Sequence, residues 1–354
     1  MDEKKIKVLI VEDTLVAQKL LKGLVNSDSR FELVGVAENG KQAYEFVDKY
    51  KPDVVSMDIL MPIMNGVEAT KKIMQDFPVP IVIVSSFYNS TEVEMAMKVL
   101  QAGAVTILPR PYGPGHSKYL QSTRKYLNTL QIMSEIKVVR RNSENKSVAA
   151  KLSENTTTAI SEKTNLNKFQ VLAIGASAGG PQGLSTILNG LPSDFPLPVF
   201  IVQHIDSNFA EGFAEWLNTY SKLPVKIALD GEKISASTVY MPPPDCHLLV
   251  NTNETIKISK EEPYKGLRPA VDLLFKSIAS VYKEKAIVVL LSGMGKDGAL
   301  EMKNLYNLGA YTIAQEETSC LIYGMPGEAA KIGAVCKLLS PENITKEILH
   351  LNNI

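Results

Sequence analysis

Residues 171–184 read VLAIGASAGGPQGL, and Gly175 to Gly179 within them form the pattern G-x-S-x-G around Ser177. A serine in a sharp turn between a strand and a helix exposes its hydroxyl beside converging backbone N–H groups, so it can act as a nucleophile. The same small residues could instead cradle a phosphate or form a turn without chemistry. The pattern alone does not decide, because acyl transfer also needs a base and an orienting acid.

The phosphate-cradle alternative lacks its other sequence features. A dinucleotide fingerprint requires glycine where Ser177 stands and an acid roughly 20 residues later, where this chain reads LPVFI. The G-K-[ST] end of a P-loop does not follow this cluster either. The pattern therefore favours a nucleophile or a plain turn over nucleotide binding.

A candidate base and a candidate acid follow later strands. His204 ends the apolar run VFIVQ, and Asp297 lies in the glycine-rich loop after AIVVLLS. Because carboxyl ends of parallel strands meet at one edge, these two residues and Ser177 could form a base, an acid and a nucleophile. Asp206 is too near His204 in sequence to reach its far ring nitrogen, and Asp272 is typical of a cap in a first helical turn. The chain order Ser, His, Asp also differs from the Ser, acid, His order of α/β-hydrolases.

A second group of polar residues follows strands near the N-terminus. Glu12 and Asp13 follow KVLIV, Asp58 follows DVVSM, and Ser85 and Arg110 end two later apolar runs. Converging carboxylates repel one another and favour a hard divalent cation such as Mg²⁺. With a hydroxyl and a cation beside them, they suit phosphoryl transfer to Asp58. Any one of these acids alone could equally be a solvated helix cap.

The elements that must position these residues alternate along the chain. Apolar β-branched runs predict strands at 7–11, 33–37, 53–57, 80–86 and 104–109, and again at 170–176, 198–204, 286–293 and 310–315. The stretches between them have helical apolar periodicity, which predicts parallel sheets covered on both faces. We expect an α/β protein whose C-terminal part is doubly wound, with STVYMPPP and HLLVN…TIKIS forming a β-ribbon.

Composition predicts two globular domains separated by a linker. The chain is 45% apolar and 21% charged over 354 residues, whereas RRNSENKSVAAKLSENTTTAISEKTNLNK has too few large apolar side chains to fold. We place the first domain at 5–125, a helix extension and flexible linker at 126–168, and the second domain at 169–350.

Charge and targeting signals exclude several classes of protein. The 38 Lys and Arg residues balance 38 Asp and Glu residues, which argues against nucleic-acid binding. The sequence has no signal-peptide pattern and no apolar run near ~20 residues, so we expect no membrane insertion. Three cysteines without C-x-x-C spacing fit free thiols in a cytoplasmic protein.

The motifs VED, MDILMPIMNG, VSS and RP resemble a response-regulator receiver domain over roughly residues 5–125. The resemblance implies a flavodoxin-like (βα)5 fold, phosphorylation of Asp58 by a histidine kinase, and bound Mg²⁺. It further implies metal ligands at Glu12, Asp13, Asp58 and the Leu60 carbonyl, and phosphoryl contacts from Ser85 and Arg110. Two departures put the strength of the phospho-switch in question: Arg110 stands where the family has Lys, and Ile107 where it usually has an aromatic residue.

The motifs IGASAGGPQGL, IVQHIDSNFAEGFAEWLN, RPAVDLLF, LLSGMGKDGA and YTIAQEETSCLIYGMPGEAA resemble the catalytic domain of chemotaxis protein-glutamate methylesterases, the CheB family. The resemblance implies hydrolysis of glutamate γ-methyl esters on methyl-accepting chemotaxis receptors, without a cofactor, by Ser177, His204 and Asp297. Deamidation of receptor glutamines is a candidate second activity. Ala178 replaces the common Thr, and Ile205 with Asp206 replaces Met-Pro; either change could alter substrate fit.

Three hypotheses remain to be tested against the fold. The oxyanion donors are expected at the Ala178 amide and in the region of Met294 and Gly295. The first domain is expected to cover the esterase cleft until Asp58 is phosphorylated. The competing functions are a non-catalytic two-component signalling scaffold and an esterase that acts on a receptor outside chemotaxis.

Overall fold

The computed structural model describes residues 4–85, 90–136, 138 and 169–354, and the side chains of residues 90–93 are not described. Most of the predicted flexible linker therefore lies outside the described residues. The described chain forms a five-stranded sheet, a seven-stranded sheet and a two-stranded ribbon. Every strand pair in the two larger sheets is parallel, which confirms the α/β class.

The first sheet is built from the N-terminal third of the chain. Its strands are β1 (Ile6–Val11), β2 (Phe31–Ala37), β3 (Val54–Met57), β4 (Ile81–Ser85) and β5 (Thr106–Pro109). Its helices are α1 (Leu15–Asn26), α2 (Gly40–Tyr50), α3 (Gly66–Asp76), α4 (Ser90–Ala102) and α5 (Tyr119–Ser134). The strand order β2-β1-β3-β4-β5 is that of flavodoxin-like folds, as the sequence predicts.

The second sheet and the ribbon follow residue 169. The strands are β6 (Val171–Ala176), β7 (Val199–Gln203), β8 (Val225–Ile227), β9 (Val239–Met241), β10 (His247–Val250), β11 (Ile256–Ser259), β12 (Ala286–Leu290), β13 (Tyr311–Gln315) and β14 (Lys337–Leu339). The helices are α6 (Gly180–Gly190), α7 (Ala210–Tyr220), α8 (Val271–Val281), α9 (Ala299–Asn307), α10 (Met325–Lys331) and α11 (Pro341–Leu351). Among all the helices described, none is both long and apolar enough to cross a bilayer.

The second sheet is buried on both faces, and β6 lies near its centre. The strand order is β14-β13-β12-β6-β7-β9-β8. Since successive side chains of a strand point to opposite faces, Leu172 and Ile174 pack with α6, α7 and α11, whereas Val171 and Ala173 pack with α8, α9 and α10. Strands β7 and β12 flank β6 on its two sides, so the chain reverses its direction of winding there. Ligands of open α/β sheets bind at such a point.

One predicted element is wrong in part. HLLVN…TIKIS forms the antiparallel β10–β11 ribbon, as predicted, but STVYMPPP contributes β9 to the large sheet, parallel to β7 and β8. The residues of β9, Val239 to Met241, are all buried, which a strand of the large sheet requires and a solvent-facing ribbon does not. Strand β12 also ends at Leu290 rather than at residue 293, which frees Ser292 for contacts across the sheet edge.

Helix α5 crosses the boundary predicted at residue 125. Its buried residues Tyr126, Leu127 and Leu130 all belong to the core of the first sheet. The Tyr126 hydroxyl donates a hydrogen bond to Ser56 Oγ of β3 at 3.1 Å. The helix thus packs as the fifth helix of the first sheet.

Candidate functional site

Ser177 and His204 directly follow two neighbouring strands. In the register of β6 and β7, Ala176 is paired with Gln203, and the next residue on each strand is Ser177 or His204. The His204 N–H donates to the Ala176 carbonyl at 2.9 Å, which extends the ladder past the strand ends. Ser177 and His204 both line one cavity of about 320 Å³.

Asp297 completes the predicted group from the loop after β12. Its Oδ2 lies 2.8 Å from His204 Nε2, and the carboxylate is only 7% exposed. It also accepts hydrogen bonds from the N–H groups of Val271 (2.6 Å) and Asp272 (2.9 Å), the first two residues of α8. Burial acts to raise the pKa of Asp297, but His204 and these two amides together hold it below its usual value. The group is therefore an ionised carboxylate that fixes the imidazole ring.

The hydroxyl of Ser177 has no hydrogen-bond partner among the described residues. Because Nε2 of His204 is engaged by Asp297, Nδ1 is the ring nitrogen left to meet Ser177. Adjacent strands lie roughly 5 Å apart, so the main chains of Ser177 and His204 are neighbours at this edge of the sheet. Hydrogen bonds of this kind often tighten only when substrate is bound.

Glycines shape the turn that carries Ser177. Gly179 has φ +79°, and a Cβ there would lie 2.5 Å from Leu321 Cβ. A Cβ on Gly293, in the loop after β12, would lie 2.7 Å from Ser177 Cβ. A side chain larger than that of glycine would clash at either position. Gly293 lies in the pattern SGMGKDG, whose glycines indicate a close backbone approach.

The predicted oxyanion donors separate into two groups. Ala178 lines the cavity, and its N–H has no acceptor among the described residues. The N–H of Ser177 is already engaged, since it donates to the Ser292 carbonyl at 3.1 Å. Met294 and Gly295 do not belong to the lining of that cavity. Ala178 is therefore the donor candidate that the geometry favours.

Asp272 has a larger part than the helix cap predicted for it. It is 2% exposed, and its Oδ1 accepts the Gly298 N–H at 2.9 Å while Oδ2 pairs with Lys265 Nζ at 2.8 Å. Its own N–H donates to Asp297, so hydrogen bonds from both acids connect the start of α8 to the loop after β12. Only its acidity and its place near RPAVD marked it in the sequence, and both also fit an ordinary cap.

The three acids of the first sheet converge at the edge where β1 and β3 end. One oxygen from each of Glu12, Asp13 and Asp58 lies within 4.8 Å of the others. Ser85 Oγ donates to Asp58 Oδ1 at 2.6 Å, as its place at the end of β4 predicts. The Leu60 carbonyl accepts no hydrogen bond from another described residue. These all-oxygen donors fit a hard divalent cation.

Arg110 pairs with two of the three acids in this cluster. Its Nη2 lies 2.8 Å from Glu12 Oε2 and 2.8 Å from Asp58 Oδ2, while its buried Nε has no partner among the described residues. Burial and the neighbouring Asp58 raise the pKa of Glu12 to about 7, because Arg110 offsets only part of that cost. Burial likewise raises the pKa of Asp58, against the opposing effects of Ser85 and Arg110. The cluster thus holds more carboxylate than its internal cation balances.

Both domains contribute to the walls of the cavity at Ser177. Leu100 of α4, Ile107 of β5 and Thr129 of α5 line it from the first domain. Helix α4 packs against α6 and α7, and Lys125 of α5 forms an ion pair with Asp206, two residues after His204. The Asp206 side chain is 5% exposed. Two departures from the family pattern, at positions 107 and 206, therefore lie at the contact between the domains.

Comparisons with known proteins agree with this architecture. Residues 172–348 match the CheB methylesterase family, and residues 8–118 match the response regulator receiver domain. A protein-glutamate methylesterase/protein-glutamine glutaminase of Geobacter metallireducens is 43% identical, over 98% of this chain and 99% of its own length. A protein of the same name from Syntrophus aciditrophicus is 40% identical, over 98% of both chains.

A solved structure extends the comparison to three dimensions. The CheB methylesterase catalytic domain of Thermotoga maritima superposes with a TM-score of 0.50 at 34% identity, and covers 52% of this chain and 98% of its own. The chain therefore belongs to the CheB family of protein-glutamate methylesterases, with a response regulator receiver domain ahead of the methylesterase domain.

Proposed function

We propose that this chain hydrolyses glutamate γ-methyl esters on methyl-accepting chemotaxis receptors in the cytoplasm, with Ser177, His204 and Asp297 as nucleophile, general base and orienting acid. The observation that carries the proposal is the 2.8 Å contact between His204 Nε2 and Asp297 Oδ2, beside the cavity that Ser177 and His204 line. The relatives named above are called protein-glutamate methylesterases. Removing methyl groups in this way would give adaptation in bacterial chemotaxis.

The first half of the reaction forms an acyl-enzyme. Ser177 Oγ attacks the carbonyl carbon of the ester while its proton moves to His204 Nδ1. The carbonyl oxygen becomes an oxyanion and accepts a hydrogen bond from the Ala178 N–H, a contact typically worth ~3 kcal/mol. When the intermediate collapses, the bond to the methoxy oxygen breaks, and His204 returns the proton so that methanol leaves.

The second half releases the product. Water attacks the acyl carbon and gives one proton to His204, which passes it to Ser177 Oγ as the bond between that oxygen and the acyl carbon breaks. The released glutamic acid then loses its remaining proton to solvent. Asp297 stays ionised throughout, because its pKa lies below the usual value, and it balances the charge of the imidazolium. With a glutamine side chain the same steps release ammonia, so the proposal includes deamidation. No step needs a metal or a cofactor.

Methanol release from methylated receptor tests the nucleophile. Ser177→Ala should lower the rate at least ~1000-fold, since an alanine cannot form the acyl-enzyme. The matched control is Ser185→Ala, because Ser185 is a buried serine of α6 whose hydroxyl donates to the Gln182 carbonyl and lies outside the lining of the cavity. Equal rates for Ser177→Ala and the wild type would reject the proposal.

The proposal includes regulation of the cleft by the receiver domain. Residues of α4, β5 and α5 line the cavity that holds Ser177, and the Lys125–Asp206 ion pair joins the domains at its rim. A receptor helix approaching Ser177 from that side would have to displace these residues. Deleting residues 1–140 should therefore raise basal methanol release, and an unchanged or lower basal rate would contradict inhibition.

Phosphorylation of Asp58 by a chemotaxis histidine kinase would release this contact. Glu12, Asp13, Asp58 and the Leu60 carbonyl would hold Mg²⁺, which neutralises charge on the transferred phosphoryl group. Ser85 and Arg110 already contact the Asp58 carboxylate and would contact the phosphoryl oxygens. An Asp58→Asn variant should accept no phosphate and keep its basal rate when the kinase is added; activation of that variant would exclude this switch.

A further inference from the structure

Gln203 forms hydrogen bonds to the main chain of both Ser177, the candidate nucleophile, and His204, the candidate base. It is the last residue of β7 and is 3% exposed. Its Nε2 donates to the Ser177 carbonyl at 2.8 Å and to the His204 carbonyl at 3.0 Å. We infer that Gln203 is a positioning residue that fixes the separation of Ser177 and His204 during ester hydrolysis. The inference rests on the proposed function.

The orientation of the Gln203 amide follows from its partners. Two carbonyl oxygens face one end of the amide, so the NH2 group must point to them and the oxygen away. The oxygen, Oε1, is buried without a partner among the described residues. Leaving a buried acceptor unpaired is unfavourable, and an apolar side chain would avoid it. The two donated bonds are what distinguishes glutamine from a space-filling residue here.

Gln203 is also held firmly in place. A Cβ on Gly180 would lie 2.5 Å from Gln203 Oε1, so the amide is wedged against the first turn of α6. The Ser177 carbonyl receives a second hydrogen bond from the Gly180 N–H at 2.8 Å, and the Ser177 N–H is tied to Ser292. The main chain around Ser177 is thus fixed from three sides, and Gln203 supplies the side that faces the base.

Loss of the Gln203 hydrogen bonds is expected to impair proton transfer from Ser177 to His204 rather than substrate binding. Ser177 Oγ has to meet His204 Nδ1 to give up its proton, and that meeting depends on the distance between two main-chain segments. Misplacing a reacting group by about 1 Å can lower a rate by about 100-fold. Loss of the Gln203 bonds should therefore lower kcat and leave KM unchanged, since Gln203 lines the cavity but is only 3% exposed to it.

The test measures nucleophile reactivity apart from receptor binding. Full-length protein is labelled with a fluorophosphonate, which reacts with an activated serine, and methanol release is measured beside it. Gln203→Met keeps the volume and removes both donors, so we expect a labelling rate and a kcat about tenfold lower and an unchanged KM. The control is Thr345→Val, which also keeps the volume and removes a donor to a carbonyl: Thr345 is a buried residue of α11, its hydroxyl donates to the Pro341 carbonyl, and it lies outside the lining of the cavity. It should slow labelling less than threefold.

A second variant keeps the inference testable if Gln203→Met does not fold. In Gln203→Glu, an ionised carboxylate would repel the two carbonyl oxygens, whereas the protonated acid can donate one hydrogen bond. The ratio of wild-type to variant labelling rates should therefore fall as the pH is lowered from 8.5 to 6.0. A ratio independent of pH, a wild-type rate for Gln203→Met, or an equal loss in Thr345→Val would overturn the inference. Failure of the wild type to label at Ser177 would instead overturn the proposed function.

Discussion

The two candidate sites both bury carboxylates at the carboxyl ends of parallel strands, yet the pKa values of these carboxylates shift in opposite directions. In the methylesterase domain, burial would raise the pKa of Asp297, but its three hydrogen-bond donors lower it. In the receiver domain, burial and the charge of Asp58 raise the pKa of Glu12 to about 7. Burial is common to both sites, so the donors that the chain provides decide the direction.

This difference separates a completed site from an incomplete one. The amides of α8 and the imidazole of His204 supply Asp297 with donors, so its charge is balanced before any substrate arrives. Glu12 and Asp58 share the cation of Arg110, and Asp13 adds a further negative charge. The charge of Asp297 is thus balanced within the methylesterase domain, whereas the acidic cluster of the receiver domain keeps an excess of negative charge that an added cation would neutralise.

The largest expected effect comes from breaking the completed site at Asp297. Asp297→Asn presents an NH2 group to the amides of Val271 and Asp272 or to His204, and it cannot balance an imidazolium. We expect kcat for methanol release to fall about 1000-fold or more. The control is Asp230→Asn, since Asp230 also accepts a backbone N–H, that of Ile258, but lies outside the cavity. A loss of less than tenfold for Asp297→Asn would remove its assigned role.

The incomplete site should show itself in the pH dependence of stability. Without metal, folded Glu12 keeps its proton up to about pH 7, while the unfolded chain loses it near the ordinary value of 4.5. Between these values the folded state binds more protons, so the free energy of unfolding falls as the pH rises. We expect a loss of about 2 kcal/mol from pH 5 to pH 8, measured by hydrogen exchange of the β1 and β3 amides in EDTA.

Two measurements check the origin of that loss. Glu12→Gln removes the titrating group, so its stability should change much less over the same range. Adding Mg²⁺ to the wild type should reverse the trend, because metal binds the ionised carboxylates and gains affinity as the pH rises. A wild-type free energy of unfolding that already increases from pH 5 to pH 8 in EDTA would contradict a raised pKa of Glu12.

Arg110 offers a smaller change within the same site. A cation that binds Glu12 and Asp58 must compete with a guanidinium already paired to both. Arg110→Gln should therefore tighten Mg²⁺ binding about five- to tenfold, equivalent to about 1 to 1.4 kcal/mol, as measured by calorimetry. Arg30→Gln is the control, because Arg30 pairs with Asp28 away from the cluster. Unchanged or weaker binding by Arg110→Gln would show that the arginine does not compete.

The sequence predicts the strand-end residues of both sites for a physical reason. A buried parallel strand is a short apolar run, so the polar residue that ends it is visible without a structure. Ser177, His204, Glu12 and Asp58 were all located in this way, and the register of β6 and β7 places the first two side by side. Fold class and family also followed from these runs and motifs. The catalytic roles themselves stay predictions.

Contacts between loops could not be predicted in the same way. The bracing of Asp297 by Asp272, and the two bonds from Gln203, depend on main-chain positions that no spacing rule gives. The placement of β9 in the large sheet depended on burial on both faces, which a three-residue run does not reveal. The docking of the two domains depends on side-chain pairs such as Lys125–Asp206, which lie 81 positions apart.

The Lys125–Asp206 ion pair gives the smallest expected effect. It tests whether docking of the receiver domain restrains the methylesterase site. Lys125 is 52% exposed, so the pair should contribute no more than about 1 kcal/mol to the docked state. Lys125→Gln should therefore raise basal methanol release about two- to fivefold while the rate of the phosphorylated enzyme stays the same. Lys118→Gln, before the same helix and without an ion pair among the described residues, should change neither rate.

A double-mutant cycle separates the pair from two independent effects. Asp206→Asn keeps an oxygen that can accept the Asn208 N–H, as Asp206 Oδ1 does, so the turn after His204 should be preserved. If Lys125 and Asp206 act together, the double variant should have the same basal rate as either single variant. Additive increases would mean that each residue acts separately, and a fall in the basal rate of Lys125→Gln would mean that the pair holds the cleft open rather than closed. Because Asp206 is two residues from His204, a shared increase would show that this contact between the domains limits access to Ser177.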